Sequence, residues 1–405
     1  MNIDKAVRTA TITLLVILVA GLGGWYWYLR SQGASLDGQS AARGLGDPTP
    51  SFANGAGSTF ENIVQGLGFQ KDAPIPETKK PPRLWRVLAT PGAGHGFISG
   101  ATSTRLRFIE RSTGYLFETD VESGVTTRLT SALMAQVYEA HFSGTGSPTI
   151  ERLDGEQLIA SSLLYRASTT GAFGDVAEHS FSAVRAITSH PIKNEVLTTV
   201  DDGSGIALIR SLWDGTKPTR IFTSALKDWR VHWLSDDALI VSEAAASGIP
   251  GSAYRVSGGG LTSIVRNIPG LTILPRANSA AILIGADDGT VSIGVRGSAA
   301  SSTVVLPIRT VPEKCVWAPG KDLVAYCAVP QRITSQQFLN DWYRGNIHTT
   351  DTWWKVIVGN ATAEQLLPPG DDQLDVEKPV INDAGEYISF RNAYDKSVWV
   401  LRITE

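Results

Sequence analysis

Short apolar runs, each ended by a tight turn, recur along most of the chain. The clearest example pairs Cys315–Trp317 with residues 323–327, a pattern that predicts two β-strands joined by a turn over residues 319–322. Proline presets φ for such a turn, and glycine relieves its strain. The third residue of the returning strand recurs at spacings of 43, 43, 42 and 64 residues, at the positions Val196, Leu239, Ile282, Val324 and Ile388. The last spacing equals one period plus an insertion of 21 residues.

A fixed period of this length indicates a repeat architecture, and one built from short strands points to propeller blades. The sequence therefore predicts an all-β fold, a β-propeller whose blades each contain four antiparallel strands. The returning strands give seven blades, with six or eight as alternatives; these strands lie near Leu106, Leu158, Val196, Leu239, Ile282, Val324 and Ile388.

Two strands at opposite ends of the repeat region lack a complete blade of their own. The segment 84–90 has no partner nearby in the sequence, and the segment 397–403 follows only two other strands of its repeat. Pairing the two segments would complete one blade and remove two exposed sheet edges. We therefore predict a propeller domain over residues 84–405, closed by 84–90 against 397–403.

The N-terminal region has the features of one membrane-spanning helix. Residues 10–29 contain no charged side chain, and their length is sufficient for a helix to cross a bilayer core. The aromatic residues 25–28 suit the membrane interface. A cleaved signal peptide is the alternative, but no site of small residues follows the apolar run. We predict a short cytoplasmic N-terminus over residues 1–9 and a transmembrane helix over residues 10–29.

Residues 30–83 are rich in Gly, Ser, Ala, Pro and Asp, and such a segment buries too little apolar surface to fold by itself. We predict a flexible linker here. Within it, Phe60, Ile63, Val64 and Leu67 have helical spacing, which favours either a helix that docks on a partner or a transient helix without a role.

The charges beside the apolar segment predict its orientation. Lys5 and Arg8 precede it and Arg30 follows it, which favours the N-terminus inside. The chain would then be a single-pass membrane protein whose propeller lies outside, in the periplasm or the extracellular space.

Composition restricts the partners and the redox compartment. The 405 residues carry a formal net charge of −3, which gives no reason to expect a nucleic-acid partner. The two cysteines, Cys315 and Cys327, lie on the two arms of one predicted hairpin. If they face each other they suit a disulfide, which implies an oxidising compartment. Two buried free thiols are the alternative.

The stretch 317–326, with the sequence WAPGKDLVAY, resembles the W-S-P-D-G-K-x-I-A-F blade signature of TolB-like propellers. The same signature occurs in the propeller domains of dipeptidyl-peptidase-like and tricorn-like proteins. Weaker copies occupy 232–237 and 382–387, and the full motif is present once. The resemblance, which extends to WD-repeat-like propellers in general, implies a binding platform. It does not imply a substrate, because the signature encodes a turn and a core strand.

A search for catalytic motifs is negative. The chain contains no G-x-S-x-G, no H-E-x-x-H, no P-loop and no G-x-G-x-x-G after a strand. Its six histidines show no metal-ligand spacing, so we predict no enzyme, no metal and no cofactor. Acidic pairs such as Asp201-Asp202 and Asp287-Asp288 precede glycine, a pattern typical of hairpin turns, with a cation-binding rim as the alternative.

The 21-residue insertion is the largest departure from the repeat. Residues 334–345 predict a short helix that Ser335 caps and Gly345 ends. Long loops in compact domains tend to be functional, and Trp, Tyr and Arg dominate interface hot spots. We therefore predict that binding uses the residues Trp342, Tyr343, Arg344 and His348. The alternative is that Phe338 and Trp342 pack on the neighbouring blade.

These features favour a membrane-anchored, extracytoplasmic propeller that acts as a binding scaffold in the cell envelope. Its expected partner is a protein or an envelope component that binds on the face around the central channel. Two alternatives remain. One is a hydrolase or lyase that acts on glycans through paired channel carboxylates, and the other is a small-ligand sensor.

Overall fold

The structure, a computed structural model, describes residues 83–404 except 156, 169–172, 278, 298–301, 369 and 371. All of these residues belong to one compact unit of the chain. The predicted N-terminus 1–9, transmembrane helix 10–29 and nearly all of linker 30–83 lie outside the described residues. Among the residues that the structure describes, no helix is both long and apolar enough to cross a membrane.

Within the described residues, seven sheets of four antiparallel strands each form this unit and confirm the prediction of a seven-bladed β-propeller. Blade 1 contains β2 (Gly92–Phe97), β3 (Arg105–Glu110), β4 (Leu116–Asp120) and β5 (Thr126–Arg128). Blade 2 contains β6 (Val137–Phe142), β7 (Pro148–Asp154), β8 (Gln157–Arg166) and β9 (Asp175–Phe181). Blade 3 contains β10 (Val184–Ser189), β11 (Glu195–Asp201), β12 (Ile206–Leu212) and β13 (Thr219–Ser224).

The remaining blades follow in chain order. Blade 4 contains β14 (Trp229–Ser235), β15 (Ala238–Glu243), β16 (Pro250–Ser257) and β17 (Gly260–Pro269). Blade 5 contains β18 (Thr272–Pro275), β19 (Ala281–Asp287), β20 (Val291–Gly297) and β21 (Val304–Val305). Blade 6 contains β22 (Cys315–Trp317), β23 (Val324–Pro330), β24 (Asp351–Ile357) and β25 (Thr362–Gln365). Blade 7 contains β26 (Val376–Ile381), β27 (Tyr387–Asn392), β28 (Val398–Arg402) and β1 (Leu84–Leu88).

Strand β1 comes from the opposite end of the propeller region and completes blade 7. It pairs antiparallel with β28, with Leu84 opposite Leu401 and Trp85 opposite Val400. The predicted closure is therefore confirmed, over slightly shorter strands than the sequence suggested. It supplies hydrogen-bond partners to a strand that would otherwise form an exposed edge.

The second strand of blades 3 to 7 carries the regular spacing because it is buried between neighbouring sheets. In blade 2, the returning strand predicted near Leu158 is the third strand, β8, and the second strand is β7. Every residue of β27 is buried, and Ile388 and Phe390 have no exposed surface. Phe390 lies against Trp353 of the previous blade, with ring centroids 5.4 Å apart. Burying one such side chain contributes about 1.5–3 kcal/mol, so each repeat must keep apolar residues at these positions.

The motif at 317–326 joins two blades. The indole nitrogen of Trp317 donates to the carbonyl of Leu274 in blade 5, at 3.0 Å. Arg276, just after β18, donates to the carbonyls of Gly320 and Asp322 in the turn, at 2.9 and 2.7 Å. The motif therefore fixes how one blade packs on the next, which is a structural role.

Cys315 and Cys327 are direct cross-strand partners in blade 6. Their Cα atoms are 4.1 Å apart, and the structure joins their sulfurs in a disulfide. The oxidation state in the cell, and the compartment that it implies, stay predictions.

Candidate functional site

A cavity of about 800 Å³ lies where the first strands of the blades begin, at one end of the central channel. We call it the upper cavity. The starts of β14, β18 and β26 line it, together with a 3₁₀ turn at Pro312–Lys314 and the insertion after β23. All four residues predicted for binding line this cavity: Trp342, Tyr343, Arg344 and His348. Their side chains have different roles there.

The insertion forms one short helix, α1 (Phe338–Tyr343), whose six residues are too few to be stable alone. Its position depends on other blades. The buried carboxylate of Asp287 accepts the Leu339 backbone N–H at 3.0 Å, and the Ser247 backbone N–H donates to the Asn340 side chain at 3.1 Å. Phe338 and Leu339 have no exposed surface. The insertion is therefore docked firmly on blades 4 and 5.

The predicted boundaries of this helix are partly wrong. Gly345, with φ +69°, follows the last turn and ends the helix as predicted. Ser335 does not cap the helix, which begins after Gln337; the Ser335 hydroxyl instead donates to Asp341 at 2.5 Å. The capping role falls to Asp287, which was predicted to serve a turn. A side chain from another blade supplies the acceptor, so no local pattern could show it.

Other acidic residues of the Asp-Asp-Gly pairs stabilise hairpin turns, as the sequence predicted. Asp202 accepts the Gly205 backbone N–H at 3.0 Å, and Asp288 accepts that of Thr290 at 3.3 Å. Within the described ranges, no group of His, Cys, Asp and Glu side chains is arranged to hold a metal ion.

Trp342 forms a wall of the upper cavity and is tied to blade 7. Its indole nitrogen donates to Asp375 at 2.9 Å, and its ring stacks on Phe338 with centroids 6.1 Å apart. The ammonium of Lys314 lies 4.6 Å from the ring centroid. Phe338 and most of Trp342 therefore pack on a neighbouring blade, which was the alternative to a role in binding.

A buried ion cluster lies beneath this wall. Lys314, Asp351 and Asp375 have fully buried side chains, and the Lys314 ammonium lies 2.7 Å from Asp351 and 2.6 Å from Asp375. Burial raises the pKa of Asp351. Burial acts in the same direction on Asp375, but Lys314 and the hydrogen bonds from His348 and Thr349 outweigh it and lower the pKa of Asp375. Asp375 is therefore ionised at neutral pH.

Asp375 also orients His348. Nδ1 of His348 lies 2.9 Å from the Asp375 carboxylate, and the imidazole stacks on Tyr394 with centroids 4.3 Å apart. Because an ionised carboxylate only accepts, Nδ1 carries a proton and Nε2 is the ring nitrogen left for a ligand. Asp375 and Tyr394 were missed from the sequence, since neither belongs to a recognisable motif.

Tyr343 extends from the insertion to the starts of other blades. Its hydroxyl lies 2.7 Å from the Glu313 carboxylate and 2.9 Å from the Arg230 guanidinium, which also forms an ion pair with Glu313. The guanidinium lies over the Tyr343 ring, 4.6 Å from its centroid. The residue as a whole remains 40% exposed. Tyr343 thus offers an aromatic surface that is held rigidly.

Arg344 differs from the other basic residues of the upper cavity. Arg230 pairs with Glu313, Lys378 with Glu139, and Lys396 with Glu377. The exposed guanidinium of Arg344 forms no ion pair or hydrogen bond with any residue that the structure describes.

A smaller cavity of about 410 Å³ lies where β2, β6, β10 and β26 end, and we call it the lower cavity. Lys378 lines both cavities. Burial, followed by the charge of Arg391, lowers the pKa of His95 to about 4. Burial and then the charge of Lys378 do the same for His141. Both imidazoles are therefore neutral at physiological pH.

Glu313 and Glu377 are the acidic residues that line the upper cavity among the described positions. Each binds a guanidinium, since Glu313 pairs with Arg230 and Glu377 with Arg391. Burial raises the pKa of Glu377, but Arg391 and Lys396 outweigh it and leave the pKa lowered. A glycan-cleaving general acid needs a raised pKa, so Glu377 does not suit that role.

Comparison with known proteins identifies a fold and no family. No protein-family model matches the sequence, and no curated protein matches it significantly. Among solved structures, YCF48 from Cyanidioschyzon merolae is 9% identical, with a TM-score of 0.53 over 79% of this chain and 99% of that chain. YCF48 bound to D1 peptide is 10% identical, with a TM-score of 0.52 over 81% and 99%. Virginiamycin B lyase from Staphylococcus aureus is 15% identical, with a TM-score of 0.51 over 79% and 98%. At these identities, the similarity is that of the β-propeller fold.

Proposed function

We propose that the chain is a binding scaffold whose upper cavity holds a segment of a partner protein, without catalysing a reaction. The observation that carries this proposal is the set of exposed groups on a rigid rim. The Tyr343 ring and the Arg344 guanidinium are exposed on an insertion that Asp287 and Asp375 hold in place. A rigid aromatic side chain at the edge of a cavity loses little entropy on binding, and an exposed arginine beside it is a frequent source of binding energy.

Two further points support the proposal. The volume of about 800 Å³ is within the range of cavities that enclose a ligand, and would admit a few residues of an extended peptide. The YCF48 propeller, with a similar fold, is bound to a D1 peptide in one of its structures. Peptide recognition by a propeller of this shape therefore has a precedent.

The proposal places the propeller outside a membrane. The apolar segment 10–29, the linker 30–83 and the Cys315–Cys327 disulfide support this placement, because a disulfide persists on the oxidising side. In this arrangement the linker lets the upper cavity reach partners in the envelope. Protease added to intact cells, or to spheroplasts, should cut within 31–82 and release a folded fragment. Complete protection until lysis would contradict this placement.

Photo-cross-linking in the native cell tests the binding site. Benzoylphenylalanine at the exposed positions 346 and 394, which adjoin the cavity-lining Gly345 and Ala393, places the probe on the upper rim, and position 219, on the outer strand β13, is the matched control. We expect one discrete adduct, with the same partner protein, from the two rim positions and not from the control.

Two results would contradict the proposal. Equal adducts at position 219, or none at the rim, would show that the upper cavity is not the binding site. An adduct of the chain with itself would identify residues 1–82 or a second copy as the occupant.

A further inference from the structure

Among the described residues, one Lys or Arg side chain that lines the upper cavity has no ion-pair partner. The other three, Arg230, Lys378 and Lys396, pair with Glu313, Glu139 and Glu377, and the last two carboxylates also bind Arg391. Arg344, exposed just beyond the end of α1, has no partner among the described residues. The guanidinium of Arg344 is therefore a positive charge in the cavity that no described side chain of the propeller pairs.

The position of this charge is fixed by its neighbours. Arg344 follows Trp342 and Tyr343, which are anchored to Asp375 and Glu313 respectively. Its backbone N–H donates to the Asn340 carbonyl at 3.3 Å, and Gly345 ends the helix directly after it. The backbone at Arg344 is thus held in place while its side chain is free to meet a ligand.

His348 supplies the second half of the recognition. Because Nδ1 is bound to Asp375, Nε2 is the ring nitrogen of His348 that can bind a ligand in the same cavity. A ligand that satisfies both residues carries an anionic group for Arg344 and a hydrogen-bonding group for His348. A peptide provides this combination wherever a carboxylate lies close to a backbone amide.

Resting on the proposed function, we infer that the upper cavity selects a peptide segment with a carboxylate, which Arg344 binds. Arginine presents its donors in a planar fork that matches a carboxylate, which favours paired hydrogen bonds over a single contact. The carboxylate can belong to an acidic side chain or to a peptide C-terminus. Both sources share the same chemistry, and the experiment separates them.

The probes are hexapeptides displayed with free C-termini and selected on the full chain. The selected sequences are then synthesised in three forms: the free acid, the C-terminal amide, and a form with Gln or Asn in place of Glu or Asp. Affinities are measured by fluorescence anisotropy for the wild type and for Arg344→Gln, Arg344→Lys and Tyr343→Ala. Arg255→Gln is the control, because Arg255 is also exposed and lies outside the cavity.

We expect Arg344→Gln to weaken binding about 10- to 100-fold, as for the loss of a charged hydrogen bond. Arg344→Lys should restore part of the affinity and Arg255→Gln should have no effect. Loss of affinity in the amide identifies the C-terminus as the source, and loss in the Gln or Asn form identifies an acidic side chain.

Two outcomes would overturn the inference, and only the first of them is compatible with the proposed function. In the first outcome, Tyr343→Ala weakens binding, but neither Arg344→Gln nor removal of the peptide carboxylate does. The cavity then binds peptides without recognising a carboxylate. If no peptide is selected, or if no cavity variant changes affinity, the proposed function fails as well. Thermal midpoints of all variants show whether any loss of binding reflects unfolding.

Discussion

The stability of the propeller should depend on pH through His95. Its pKa lies at about 4, because the ring is buried in the channel beside Arg391 and Lys378; the Ser389 backbone and Glu139 oppose this shift. In the unfolded chain the pKa of a histidine is about 6.5. Between these two values the unfolded state binds a proton that the folded state excludes, so stability falls as the pH drops.

The size of this effect follows from the two pKa values. A shift from 6.5 to about 4 makes the full contribution about 3 kcal/mol, at 1.36 kcal/mol for each pKa unit. About 2 kcal/mol of this is lost between pH 7 and pH 5. The variant His95→Phe has no proton to bind there, and its free energy of unfolding should fall by about 2 kcal/mol less over that range.

Urea unfolding of the full chain at pH 7 and pH 5, followed by tryptophan fluorescence, measures this difference. The pH 5 limit keeps the measurement above the range in which the paired carboxylates Glu139 and Glu377, with lowered pKa values, take up protons. The matched control is His179→Phe, which removes a histidine from the outer strand β9. If His95→Phe keeps the full pH dependence of the wild type, the ring is not held neutral by burial in the channel.

Three further predictions concern stability. Reduction of the Cys315–Cys327 disulfide should lower the free energy of unfolding by about 3 kcal/mol, measured in urea; free thiols in non-reduced peptides from native material would rule the disulfide out. Deleting residues 1–82 should leave a folded, monodisperse propeller, whereas deleting 1–92 removes β1, exposes an edge of β28 and should cause aggregation on size-exclusion chromatography. Asp375→Asn should cost about 3–5 kcal/mol, because it breaks a buried ion cluster; a thermal midpoint within 2 °C or so of the wild type would contradict that role.

The fold could be predicted because every blade of a propeller places the same requirements on its local sequence. Each blade must bury its second strand between neighbouring sheets and leave by a tight turn, so each repeat shows the same pattern of apolar and turn residues. Positions such as Ile388 satisfy this requirement and give the period directly. The closure followed from the same reasoning, because an unpaired β28 edge is unfavourable.

The site could be predicted only in part. The break in the repeat spacing identified the insertion, and its aromatic and basic side chains gave the four candidate residues. The sequence could not divide these residues by role. In the structure Trp342 donates its indole N–H to Asp375 and supports the cavity, whereas the Arg344 side chain has no partner among the described residues and is available to a ligand.

By itself the sequence determined what depends on neighbours along the chain: the strands, the turns, the period, and the helical spacing that buries Phe338. Tertiary structure alone decided which charges remain free. Lys314 meets Asp375 across 61 residues, and Arg230 meets Glu313 across 83. These pairs cross from one blade to another, and the side chains on facing blades have no fixed separation in the sequence. The availability of a charge in the upper cavity depends on such pairings, so it is a property of the closed ring of blades.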